Sequence, residues 1–243
     1  MKVCMVTGAN RGIGLELVTR MSSLDTEVVI ACSRTMSTEL EELIKAQENV
    51  HHFPLEITSQ ESVDAAFESI SALLGGKGIN VLINNAAILV KSDCVSTTSS
   101  ESYTEAFNVN VVGTHRVTMK FAPLLYQAAE QCSDNEIGCN RAFCLNVSTA
   151  VGSIANTSSP FHSAYRVSKA GLNMLTKCMA LEFIEKGVLC CGVHPGWVQT
   201  NMGGPNALIS VGTCVDDLME VITKATKDHN GLLLRNKLEV MPF

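Results

Sequence analysis

The 243-residue sequence predicts a doubly wound α/β fold, in which a mostly parallel sheet carries helices on both faces. Short apolar, β-branched runs alternate with longer segments of helical period from the amino terminus to about residue 192. The runs lack the regular polar alternation of a half-exposed strand, which indicates strands covered on both faces. A glycine-rich turn follows the first run and leads directly into a helical segment.

The predicted strands cover residues 3–7, 27–33, 50–57, 80–84, 142–147 and 188–193, and the predicted helices cover about 12–23, 38–47, 59–74, 101–131 and 163–186. Thr38, Thr58 and Thr213 each precede an acidic residue by three positions, the spacing of a capping box, so we expect them to open helices. Pro123 is expected to interrupt the long fourth helical segment and bend it. No repeat or linker divides the chain, which predicts a single domain over residues 1–243.

Composition and charge argue against several classes of protein. Hydrophobic residues make up 46% and charged residues 17%, as in a globular domain. The net charge of −6 and the lack of a basic cluster argue against a nucleic-acid partner. No apolar run has the length of a membrane span or a signal peptide, so we expect no membrane partner and a cytoplasmic location. Five of the ten cysteines, Cys4, Cys32, Cys144, Cys190 and Cys191, fall in strand-like runs, and Cys190-Cys191 lacks metal-ligand spacing, which predicts buried thiols and no metal site.

The turn after the first strand reads Thr-Gly-Ala-Asn-Arg-Gly-Ile-Gly over residues 7–14. Its glycines permit a tight turn and close backbone approach, and the helix that follows offers unpaired N–H groups to a pyrophosphate. In this strand-turn-helix context the pattern predicts a dinucleotide-binding Rossmann fold. The candidate cofactor contacts in the turn are Gly8, Asn10, Arg11, Gly12, Ile13 and Gly14.

The end of the second strand indicates which dinucleotide is bound. An acidic residue there would bind a ribose 2′-hydroxyl, whereas an arginine accommodates a 2′-phosphate. This chain has Ser33 and Arg34 at that point and no acid, and Arg11 adds a second cation. The sequence therefore favours NADPH/NADP+, although a solvent-facing Arg34 is the alternative.

Tyr165 and Lys169 stand four positions apart in the predicted helix 163–186, so their side chains share one face. A nearby ammonium favours the phenolate and would lower the tyrosine pKa toward neutrality. A phenol tuned in this way could exchange a proton at physiological pH. The alternative is a chance pair on a solvated helix face.

Together these features resemble the short-chain dehydrogenase/reductase family in order and spacing. The resemblance rests on the glycine turn, the run Asn-Asn-Ala-Ala at 84–87, Asn-Val-Asn-Val-Val-Gly at 108–113, the Tyr165/Lys169 pair, and His-Pro-Gly-Trp-Val-Gln-Thr at 194–200. It covers nearly the whole chain. Within the family the sequence looks most similar to the sniffer- and C-factor-like carbonyl reductases.

The resemblance implies a function for each matching residue. Tyr165 would be the general acid, Lys169 would hold the nicotinamide ribose, and Asn110 would anchor a water relay or, alternatively, satisfy a helical bend. The residues implied to lie along the cofactor are Asn84, Asn85, Ala86, Pro195, Gly196, Val198 and Thr200, with Asn84 on the adenosine side and Val198 near the nicotinamide carboxamide.

Two departures from the family pattern leave alternatives open. The carbonyl-polarising serine of Asn-x-Ser-Ser falls on Thr149 in this chain, and Thr149 is favoured over the neighbouring Ser148. The usual Asp-Val pair that contacts adenine is replaced by Glu56 and Ile57, and the longer glutamate side chain leaves the adenine contact open.

We therefore expect an NADPH-dependent oxidoreductase that reduces a ketone, aldehyde or quinone carbonyl. A non-catalytic NADP(H)-binding regulator on the same fold is the alternative, because fold alone does not specify function. Alcohol oxidation would use the same residues in reverse. A homodimer formed through the two long helices is compatible with the resemblance.

Overall fold

The structure, a computed structural model, describes residues 2–90, 94–133 and 136–243. Within these residues an eight-stranded sheet forms in the order β3-β2-β1-β4-β5-β6-β7-β8. The strands are β1 (Val3–Thr7), β2 (Val28–Ser33), β3 (Val50–Pro54), β4 (Val81–Asn84), β5 (Phe143–Val147), β6 (Leu189–Val193), β7 (Leu233–Leu234) and β8 (Val240–Met241). Neighbouring strands pair in parallel from β3 to β7, and β8 joins β7 antiparallel. The predicted doubly wound α/β fold is therefore confirmed.

The α-helices of the described residues are α1 (Gly12–Ser22), α2 (Thr38–Ala46), α3 (Gln60–Leu74), α4 (Ser100–Phe107), α5 (Thr114–Gln131), α6 (Ser163–Phe183) and α7 (Val211–Lys224). Serines cap several of them by accepting a backbone N–H. Ser37 caps α2, Ser59 caps α3 and Ser210 caps α7. The expected caps Thr38, Thr58 and Thr213 were therefore wrong by one to three positions, because serine hydroxyls stand nearby and serve this purpose equally well.

The interruption of the long fourth helical segment lies elsewhere than expected. A π-helical turn at Asn108–Gly113 separates α4 from α5, and α5 continues through Pro123. Such turns recur at functional sites in helices. This one carries Asn110, one of the residues singled out by the sequence.

Apolar layers cover both faces of the sheet. Cys4 and Val6 of β1 face one layer, whose helical members include Leu17 of α1. Val3 and Met5 face the other layer, which is built on α3, α5 and α6. Because both faces are buried, the strands read as continuous apolar runs. Cysteines within these runs are buried free thiols, as expected: Cys4, Cys32, Cys144, Cys190 and Cys191.

Strand order creates a crevice at one edge of the sheet. After β1 the chain moves outward to β2 and β3, then returns to the other side of β1 as β4. The loops that leave β1 and β4 therefore diverge, which is where ligands bind in folds of this type. In the described part of the chain, no helix is both long and apolar enough to cross a membrane.

Candidate active site

A cleft of about 680 Å³ opens at the carboxyl edge of the sheet. Its wall is made mainly by the segments that follow β1 to β6, together with α6. Most residues selected from the sequence lie on it: Gly8, Asn10, Arg11, Gly12, Ile13, Ser33, Arg34, Glu56, Ile57, Asn85, Ala86, Ser148, Tyr165, Lys169, Pro195 and Thr200. Segments distant in the sequence thus converge on one site.

The glycine turn owes its shape to its lack of side chains. Gly8 and Gly12 have positive φ values of 66° and 54°, which favour glycine. A Cβ at Gly14 would collide with the carbonyl oxygen of Gly8. No side chain caps the first turn of α1, which begins at Gly12. The first turn of α1 thus lies at the cleft wall without a side-chain cap on its backbone N–H groups, as in helix N-termini that bind anionic groups.

Asn85 ties the glycine turn to the loop after β4. Its Nδ2 atom donates to the backbone oxygens of Thr7 at 2.9 Å and Gly8 at 3.2 Å. In return, Thr7 Oγ1 accepts from the backbone N–H groups of Asn85 and Ala86, each at 3.0 Å. These bonds hold the two sides of the crevice in a defined relation.

The end of β2 places a cation beside the glycine turn. The Arg34 side chain is 69% exposed and lies 3.5 Å from Glu56. Burial raises the pKa of Glu56, but hydrogen bonds from Thr58 and the charge of Arg34 oppose this and leave the pKa below its usual value. Glu56 therefore remains ionised and partly neutralises Arg34.

Tyr165 and Lys169 lie one turn apart on α6, as predicted. Lys169 is 2% exposed, donates from Nζ to the backbone oxygen of Val147 at 2.7 Å, and stands 5.8 Å from the centre of the Tyr165 ring. Burial lowers the pKa of Lys169 to about 7 and raises the pKa of Tyr165 to about 12. The expectation that Lys169 draws the tyrosine pKa toward neutrality is corrected, because desolvation of the phenolate outweighs the attraction of the amine.

The two candidate hydroxyls differ in their surroundings. Ser148 lies on the cleft wall, and its Oγ donates to Asn173 Oδ1 at 2.5 Å. Thr149 is not among the residues that line the cleft. It is 8% exposed, and its Oγ1 accepts from the Val151 backbone N–H at 3.4 Å. The Ser148 hydroxyl is nearer the cleft but its proton is engaged, so both residues remain candidates.

Two predicted asparagines serve the interior instead of the cleft wall. Asn84 is 4% exposed, and its Nδ2 donates to Thr118 Oγ1 and Asn146 Oδ1, each at 2.8 Å. Asn110 is 1% exposed and bonds to both backbone groups of Ile88 and to Ser168 Oγ. The placement of Asn84 beside adenosine is therefore not supported, because its side-chain N–H groups already donate to residues of α5 and β5. Gly14, Gly196 and Val198 likewise stand outside the lining residues.

The cleft is also lined by residues that were not selected from the sequence: Thr35, Leu55, Thr58, Ala87, Ile88, Glu105, Val109, Val147, Gln199, Asn201, Met202 and Val211. Most adjoin positions that were selected, so extending each strand end by a few residues would have found them. Glu105 and Val109 lie four residues apart near the end of α4, a spacing that gave no signal of its own.

Known proteins share this sequence pattern and this architecture. The short chain dehydrogenase family model matches residues 2–207. An uncharacterized oxidoreductase of Schizosaccharomyces pombe is 32% identical, with 100% of this chain and 98% of that protein covered.

Carbonyl reductases of known structure match this chain over 100% of its length and 100% of their own. The NADPH-bound carbonyl reductase from chicken fatty liver is 32% identical with a TM-score of 0.92. The carbonyl reductase Sniffer of D. melanogaster is 29% identical with a TM-score of 0.96. These similarities confirm the resemblance noted in the sequence. This chain belongs to the short-chain dehydrogenase family of oxidoreductases.

Proposed function

We propose that this chain is an NADPH-dependent reductase that converts the carbonyl group of a ketone, aldehyde or quinone to an alcohol. The observation that carries the proposal is the meeting of the glycine turn, Arg34 and the Tyr165/Lys169 pair on one cleft wall. The volume of about 680 Å³ is within the range of small-molecule sites.

The nucleotide end of the cleft suits a dinucleotide that carries a 2′-phosphate. The uncapped N-terminus of α1 supplies N–H groups for the pyrophosphate. Arg11 and Arg34 supply positive charge, and no acid occupies the end of β2. When bound, NADPH supplies the hydride that reduces the carbonyl carbon. The chicken fatty liver carbonyl reductase, whose structure contains NADPH, agrees with this assignment.

Tyr165 is the proposed general acid. With its pKa raised to about 12, the phenol keeps its proton at neutral pH and can donate it to the carbonyl oxygen as negative charge develops there. Lys169 holds its amine beside the Tyr165 ring, where its protonated form stabilises the phenolate that remains. Ser148 or Thr149 donates a hydrogen bond to the same oxygen.

The direct test incubates the protein with NADPH and a panel of ketones, aldehydes and quinones, and measures NADPH oxidation by its absorbance. NADH is the control cofactor. The proposal expects turnover of at least one class of carbonyl and a preference for NADPH. If NADPH binds but no carbonyl is reduced, the chain is better described as a non-catalytic cofactor-binding regulator.

A further inference from the structure

Ser33 stands at the end of β2, the position that meets the adenosine ribose in dinucleotide-binding folds, and its hydroxyl is hydrogen-bonded to a histidine. Ser33 ends β2 and lines the cleft beside Arg34 and Thr35. Its Oγ stands 2.9 Å from Nε2 of His52, a residue of β3. The neighbouring strands β2 and β3 place the two side chains on the same face, because Ala31 pairs with His52 and Ser33 follows two residues later.

The hydrogen-bond directions around Ser33 can be assigned. Ser33 Oγ also lies 2.9 Å from the backbone oxygen of Thr35. A carbonyl oxygen only accepts, so the single hydroxyl proton of Ser33 points to Thr35. His52 must then donate from Nε2–H to the serine oxygen. The chain His52 to Ser33 to Thr35 closes the short turn that carries Arg34.

His52 acts as a neutral donor in this chain of bonds. Burial lowers the pKa of His52 below its ordinary value, and its interaction with the Ser33 backbone only partly opposes the shift. The imidazole is therefore uncharged at neutral pH and contributes orientation, with no charge of its own for a phosphate.

The rest of this subsite is loosely held. The Arg34 side chain is 69% exposed and shares its charge with Glu56 at 3.5 Å, a pairing that contributes little in water. Ser33, by contrast, is 4% exposed. The rigid part of the subsite is thus the serine turn, and its support comes from β3.

We propose that His52 is a positioning residue for cofactor choice: it orients Ser33 and the turn that carries Arg34, so that the site prefers a phosphorylated over an unphosphorylated ribose. The proposal rests on the proposed NADPH function and adds a residue that touches neither the cofactor nor the carbonyl. When the 2′-phosphate is present, the Ser33 proton turns from Thr35 to a phosphate oxygen while His52 keeps donating to Oγ.

The test compares the dissociation constants of NADPH, NADH and 2′,5′-ADP for the wild type and for His52→Leu. Loss of one orienting hydrogen bond is expected to raise the dissociation constants of NADPH and 2′,5′-ADP about fivefold to tenfold. The dissociation constant of NADH should rise less than about twofold. His52→Gln can donate from a similar position and is expected to restore most of the preference. His51→Leu is the matched control, because His51 lies on the opposite face of β3 beside Ile30.

The possible outcomes separate the two proposals. A wild-type protein without preference for NADPH contradicts the proposed cofactor, whatever His52 does. A wild type that prefers NADPH, combined with an unchanged preference in His52→Leu, overturns the inference about His52 alone. Equal weakening of NADPH and NADH would mean a general structural effect and would also overturn it. If His52→Leu fails to fold, His52→Phe, which keeps an aromatic ring and removes the Nε2 donor to Ser33, carries the same comparison.

Discussion

The two ends of the cleft are built on opposite principles. At the nucleotide end, Arg34 is 69% exposed and pairs with Glu56 across 3.5 Å, so its charge is screened by water. At the other end, Lys169 is 2% exposed and burial lowers its pKa to about 7. The difference suggests a division of labour in the proposed site: backbone shape and solvated charge would hold the nucleotide, whereas burial sets the pKa values of the groups proposed for proton transfer.

Tyr165→Phe tests the buried end and has the largest expected effect. Turnover should fall by about 10² or more, because the proposed acid is lost, while NADPH affinity should stay within about twofold. Steady-state kinetics and cofactor titration measure the two quantities. Tyr126→Phe is the control, since Tyr126 packs edge-on against Phe183 away from the cleft. Unchanged turnover in Tyr165→Phe would remove Tyr165 from the mechanism.

Gly14→Ala tests whether backbone shape governs the nucleotide end. The new Cβ would collide with the Gly8 carbonyl oxygen, so we expect a loss of about 1–3 kcal/mol in the free energy of unfolding together with weaker NADPH binding. Urea unfolding measures the stability. Gly212→Ala is the matched control near the start of α7, where the nearest atom is Ser210 Oγ at 3.9 Å. That variant should be neutral or slightly more stable, and equal losses in both would argue against the collision.

Lys169→Met tests how much burial of the Lys169 charge lowers the free energy of unfolding. The pKa of Lys169 falls from 10.5 to about 7 on folding, so between these values the unfolded chain binds more protons and stability rises with pH. Below about pH 7 both states are protonated and the full cost is present. The variant should therefore be most favoured over the wild type near pH 6, with an advantage that shrinks toward about pH 9. Urea midpoints of both proteins across this range measure the trend, and a constant difference would contradict the assignment.

Arg34→Ala has the smallest expected effect and sharpens the contrast. Loss of one solvated cation should weaken NADPH binding by about fivefold and leave NADH binding unaffected. The loss of NADPH affinity should be smaller at high salt, where the charge of Arg34 is screened. Cofactor titrations at low and high ionic strength measure this. A comparable loss for NADH would mean that Arg34 supports the turn in general and does not select the phosphate.

Local pattern predicted most of the fold, and its failures have identifiable causes. The six apolar runs became β1 to β6 because their burial on both faces leaves a strong signal. The two-residue strands Leu233–Leu234 and Val240–Met241 were missed, since so short a stretch has no readable period. The π-helical turn at Asn108–Gly113 also has no sequence signature.

The sequence by itself determined the features that depend on neighbours along the chain. The glycine turn before α1 and the spacing of Tyr165 and Lys169 follow from local backbone geometry, so both could be read directly. Tertiary structure decided how those groups are solvated and which partners they meet. Asn84 turns toward Asn146, Ser148 donates to Asn173, and burial raises the pKa of Tyr165. Each of these depends on contacts between distant segments, and desolvation is a property of the packed molecule that no local pattern contains.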